Sequence, residues 1–139
     1  MKKDVMVSFK SFNKYEEDNS DKMEFLTRGS FFEKDGKYYL KYEEKNENDS
    51  VTTTIKIEEN KVTIIRFGAS NTQMIVEQGK KHLNYYETPH GAFTIGVYSD
   101  KVDINIGEKE GKIRLNYDVE FNNAIASRNT VRVDFREVQ

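Results

Sequence analysis

Along most of this chain apolar residues return at every second position. Val5, Val7 and Phe9 share one parity, as do Tyr38, Leu40 and Tyr42, then Val51, Thr53, Ile55 and Ile57, and later Phe93, Ile95 and Val97. Val102, Ile104 and Ile106 repeat the pattern. In the longest run, Ile113, Leu115, Tyr117, Val119 and Phe121 alternate with Lys112, Arg114, Asn116, Asp118 and Glu120. Successive side chains of a β-strand point to opposite faces, so strict alternation marks strands with one dry face and one wet face. Turn-forming residues separate the runs: Asp35-Gly36, Glu59-Asn60, Gly68 to Asn71, Gln78-Gly79, Ser99-Asp100, and Gly107 to Gly111. The pattern predicts strands near 2–12, 23–34, 37–46, 50–58, 61–67, 72–78, 81–87, 91–98, 101–107 and 112–121, with a last one near 130–138. Residues 13–22, rich in polar side chains, read as a loop.

Most of these connections are short enough for hairpins, so the strands should follow one another up and down. A flat meander of this length would leave open edges that invite aggregation, and curling removes them. The expected fold is all-β: one antiparallel up-and-down β-barrel of eight to ten strands, forming a single domain over residues 1–139. Barrels of that size are about wide enough to hold one small ligand. Composition points the same way. Val, Ile and Thr number 11, 10 and 9, and Phe and Tyr add 17, against eight Ala and Leu together, which favours strands over helices.

Charge and special residues narrow the functional classes. The 22 basic and 24 acidic side chains give a net charge of −2, and the signs are interspersed, so no footprint for nucleic acid or an anionic membrane stands out. Lys2-Lys3 and Lys80-Lys81 are the only basic doublets and read as a solvated terminus and turn. Without cysteine there is no disulfide framework, thiol nucleophile or cysteine-based zinc site, which suits the reducing cytosol. Residues 4–9 alternate instead of forming a continuous apolar stretch, and no later segment is apolar enough for a bilayer-spanning helix. The expectation is a soluble cytoplasmic protein. His82 and His90 lie eight residues apart with no metal spacing. No phosphate loop, nucleophile elbow or zinc-protease motif is present, so neither an enzyme nor a cofactor or metal is expected.

Two polar features sit among apolar ones. Alternation carries Glu44 to the face of Tyr38, Leu40 and Tyr42, and places Arg66 on the face of Val62 and Ile64. A charge drawn into a barrel must be paired or stay wet. Either a strand-end salt bridge at the rim or a polar anchor inside a ligand pocket satisfies that demand. An up-and-down order makes their strands second neighbours, roughly 10 Å apart at the backbone, a gap two long side chains can close. The second feature is Tyr85-Tyr86-Glu87-Thr88-Pro89-His90-Gly91, holding the single proline. It reads as a shaped turn, because proline cannot donate to a ladder.

Taken in order, Tyr42-Glu43-Glu44, Arg66-Phe67-Gly68, Met74, Gly79 and Tyr86-x-Thr88-Pro89-His90-Gly91 resemble the YwiB-like family of small bacterial proteins, over nearly the whole chain. The resemblance implies a calycin-like, lipocalin-like β-barrel and no particular activity. Three functional readings follow. The first is a non-enzymatic barrel that binds a small apolar or amphipathic molecule in its interior, with Tyr42, Glu44, Arg66, Tyr86, Thr88 and His90 as candidate binding residues. The second is a packed scaffold barrel that binds another protein, a homodimer included. The third is an unrecognised enzyme using Glu44, Arg66 or His90.

Overall fold

The structure, a computed structural model, describes residues 2–15, 19–45, 50–68, 71–121 and 124–138, with the backbone alone at 85–88 and 93. It contains ten antiparallel strands: β1 (Lys2–Lys14), β2 (Ser20–Lys34), β3 (Lys37–Lys45), β4 (Ser50–Glu58), β5 (Lys61–Phe67), β6 (Asn71–Glu77), β7 (Lys81–Thr88), β8 (Gly91–Ile106), β9 (Glu110–Phe121) and β10 (Ala124–Glu137). Each pairs with its chain neighbours, and β1 closes the ring against β10. The all-β up-and-down barrel expected from alternation is the fold observed.

Three boundaries differ from the sequence reading, each for a local reason. In the segment read as a loop at 13–22, residues 13–14 and 20–22 belong to the ladder, since β1 and β2 stay in register out to Lys14 opposite Ser20, while residues 16–18 lie outside the described residues. β10 begins at Ala124, six residues before the expected start, where Ser127 and Asn129 replace apolar residues on the inward face. The two strands expected on either side of Ser99-Asp100 are one continuous strand, β8, with a bulge between Ser99 and Lys101. That bulge shifts the inward parity from Ile95, Val97 and Ser99 to Val102 and Ile104, because one extra residue turns every following side chain to the other face. The buried Ser99 hydroxyl stabilises the bend: it lies 2.7 Å from the Asn116 carbonyl, to which it donates, and accepts from the Lys101 amide at 3.2 Å.

Inward alternation builds the core from Val5, Val7, Leu40, Ile55, Ile57, Val62, Val76, Val97, Ile113, Leu115 and Val133, each nearly inaccessible. The outward face of β9 and β10 carries Lys112, Arg114, Arg132 and Arg136, so the barrel is polar side out. Among the described residues no helix is long and apolar enough to cross a membrane.

The two ends of the barrel differ. At the end with the Asp35-Gly36 and Glu59-Asn60 turns, the ring of Phe31 lies against Phe135 at 4.7 Å and Tyr38 at 5.5 Å, forming an aromatic floor on the side of β2, β3 and β10. Gly111 sits opposite Phe135 in the ladder. A Cβ there would fall 2.3 Å from the ring, so only glycine lets the phenyl group lie over the strand. The ring loosens in two places, between β2 and β3 at the opposite, looser end and between β6 and β7 on the side of the floor. β2 and β3 pair only from Gly29 opposite Tyr42 to Lys34 opposite Lys37, so the first nine residues of β2 splay away from β3. β6 and β7 share two register pairs, Asn71 with Glu87 and Thr72 with Tyr86. Beyond them, side chains bridge the strands: Asn84 Oδ1 accepts from the Ile75 amide, and His82 Nε2 lies 2.8 Å from Glu77 Oε1.

Candidate functional site

Above the aromatic floor the interior is not filled. A cavity of about 450 Å³ opens toward the loose end. Its lower wall is apolar, with Ile55, Val62, Ile113, Leu115, Val131 and Val133, and its upper wall carries Asn13, Glu44, Thr53, Arg66, Thr72 and Asn129.

Register explains the polar cluster. Thr53 on β4 lies opposite Tyr42 on β3 and Arg66 on β5, and Glu44 is two residues beyond Tyr42 on the same face. Arg66 Nη2 donates to Glu44 Oε2 at 3.0 Å, and the Thr53 hydroxyl donates to the same oxygen at 3.0 Å. The structure thus brings Glu44 and Arg66 together across the intervening strand, as alternation anticipates. Exposure is graded: Thr53 is buried, the Glu44 side chain is 20% accessible and that of Arg66 42%. Within that half-exposed arginine, Nε is shielded from solvent and has no hydrogen-bond partner among the described residues. Tyr42 is buried beside the pair, its ring 5.8 Å from Phe25, which stacks on Phe9 at 4.9 Å. Burial foremost, then the Glu44 carboxylate, push the Tyr42 phenol well above the usual tyrosine range, with Arg66 and Thr53 opposing. It is therefore a neutral hydroxyl.

The cavity also has a side opening. Met23, Glu44 and Arg66 border both the cavity and a surface groove formed where β2 leaves β3. Among the described residues the Thr27 hydroxyl reaches across that gap to the Glu43 carbonyl at 3.4 Å, and the Phe25 ring reaches Tyr42. Arg66 therefore stands at the junction of groove and interior.

The remaining candidates are placed differently. His90 is exposed in the turn between β7 and β8 and is not among the residues bordering the cavity. Tyr86 pairs through its backbone with Thr72 and Phe93, and Thr88 with Gly91, while their side chains lie outside the described residues. Four polar wall residues, Asn13, Thr53, Thr72 and Asn129, are outside the set named from the sequence. Thr53 was legible as inward-facing from the run Val51 to Ile57, but a threonine in such a run attracts no notice without its partners. Asn13 and Asn129 lay in segments not read as strands. Asn129 Nδ2 donates to the Tyr117 carbonyl at 3.3 Å and to Ser127 Oγ at 3.0 Å. Among the described residues no group of three or more His, Asp or Glu is arranged to hold a metal ion.

Fold and site together define a closed ten-stranded antiparallel barrel with an amphipathic interior open at one end. The chain belongs to the family described as the domain of unknown function DUF1934, whose model matches residues 7–133. It is 26% identical over 120 residues to the uncharacterised β-barrel protein YwiB of Bacillus subtilis strain 168, covering 86% of this chain and 84% of the relative. The crystal structure of the Bacillus subtilis ywiB protein superposes with a TM-score of 0.86 at 22% identity, covering 99% of this chain and 94% of that one. This likeness shows that the two share the barrel fold.

Proposed function

We propose that this protein is a cytoplasmic, non-enzymatic barrel that binds one small, partly apolar molecule in its open end. The observation that carries the reading is the 450 Å³ cavity with an apolar lower wall and a charged, hydrogen-bonded cluster at its mouth. Small-molecule sites have this size and construction, mostly apolar with a few placed polar groups. Calycin-like barrels use their interiors similarly, an analogy of fold alone. A scaffold would be better served by a filled interior, and the empty volume supports the binder instead. The polar outer face suits a protein surrounded by water.

Native mass spectrometry of the protein purified from its own host, followed by amide NMR titration with single-chain amphiphiles, tests the reading. A retained adduct, or shifts confined to the inward positions of β4, β5 and β9, is the expected result. Ile64 lines the cavity, so Ile64→Trp should fill it and abolish those shifts while the barrel stays folded. An adduct-free mass together with no shifts for any amphiphile would exclude interior binding.

A further inference from the structure

We infer that the ligand is a single-chain amphiphile whose head is an oxygen acceptor, a carboxylate binding best, held by Arg66 at the junction of cavity and side groove. This rests on the interior-binding reading and specifies its chemistry. Glu44 cannot be the anchor for such a head: its Oε2 already accepts from both Arg66 and Thr53, and a carboxylate only accepts. Arg66 has capacity left. A guanidinium offers five N–H donors, one Nη2 bond goes to Glu44, and the shielded Nε–H has no partner among the described residues. A buried donor without an acceptor is unfavourable, so a ligand that supplies an oxygen there relieves an existing deficit. Charge-assisted bonds to a guanidinium are the stronger kind, which ranks carboxylate above hydroxyl. An alkylammonium head lacks an acceptor and meets the same cation, so it is rejected.

The body of the ligand is set by the walls on either side. Below Arg66 the cavity is lined by Ile55, Val62, Leu115 and Val133, and Met23 continues the apolar surface at the β2–β3 groove. An unbranched chain can lie in the cavity with its head level with Arg66, which remains partly open to water.

Isothermal titration calorimetry with decanoate, decanol and decylamine, each below its aggregation concentration, reads the head directly. Wild-type protein should bind decanoate on the order of tenfold more tightly than decylamine, with decanol between them. Arg66→Gln should reduce decanoate to the level of decanol. Glu44→Gln should tighten decanoate and leave decanol unchanged, since it removes the anion that competes for Arg66. Equal affinity for all three heads in wild type would overturn the assignment of Arg66 while leaving interior binding intact. Preference for decylamine would overturn it in favour of Glu44. Binding of none of the three removes interior binding of such amphiphiles, and with it this assignment. Should Arg66→Gln fail to fold in a thermal melt, the Glu44→Gln arm decides alone, because unchanged or weaker decanoate binding there contradicts the assignment.

Discussion

Tyr42 shows what the environment of one side chain does to the stability of the molecule. An isolated phenol ionises near about pH 10, whereas burial and the neighbouring Glu44 carboxylate raise the value in the folded chain. The native state therefore holds this proton more tightly than the unfolded state. The associated stability is fully present below about pH 10 and is lost as pH rises from there toward the folded-state value. Tyr42→Phe should flatten the fall in melting temperature between about pH 9 and about pH 11, and circular-dichroism melts across that range measure it. Glu44 and Arg66 are a weaker structural pair despite their short contact. With Arg66 half exposed, a double-mutant cycle of Glu44→Gln and Arg66→Gln should give a coupling of about 1 kcal/mol or less in urea denaturation. Gly111 is less tolerant. An alanine there displaces the Phe135 ring, which is 4% accessible and packed on Phe31. Overpacking of this kind costs about 1–3 kcal/mol, and Phe135→Leu in the same chain should recover part of it.

At the scale of elements, β8 explains why the sequence told much of the fold and mis-stated one strand. Its inward positions are odd through Ser99 and even from Val102. A change of parity is visible in the residues, yet a hairpin and a bulge produce the same signal, and Ser-Asp suits either. What separates them is the long-range bond from Ser99 to the Asn116 carbonyl, which no local reading contains. Ser99→Ala should cost about 1–2 kcal/mol by leaving that carbonyl unpaired. Deleting Asp100 should leave the barrel folded, since Lys101 would then follow Ser99 directly and Val102 and Ile104 would still face inward along a regular ladder; a dispersed amide NMR spectrum is the expected result. Glu44 and Arg66 were legible because both lie on strands of unbroken alternation. Asn13 and Asn129 were not, because polar residues on an inward face erase the very contrast that identifies a strand.

Across the whole molecule, ladder length is uneven around the ring. β1 and β2 pair from Lys2 opposite Phe32 to Lys14 opposite Ser20, whereas β6 and β7 pair at two positions. Hydrogen exchange should therefore be faster at the amides of 73–76 and 81–84 than at 112–118, and uniform protection would contradict this. The Glu77 carboxyl, lowered chiefly by its bond to His82 and then by Lys80, adds a pH dependence. Its contribution is present above the ordinary carboxylate range and disappears as pH falls through the lowered folded-state value, so seam exchange should rise at acid pH beyond the intrinsic rate. Two joints lie on opposite sides of the ring, the two-pair β6–β7 ladder and the β2–β3 ladder of six pairs that ends short of the mouth, and they divide it into two shells, β3 to β6 and β7 round through β1 to β2. Under the proposed binding, a guest bulkier than the resting cavity would open the β6–β7 joint by releasing side-chain clips such as Asn84 to Ile75. On that same reading, size tolerance would lie in these seams and head-group choice within one shell, at β3 and β5, so that lengthening a guest should weaken its binding far less than changing its head.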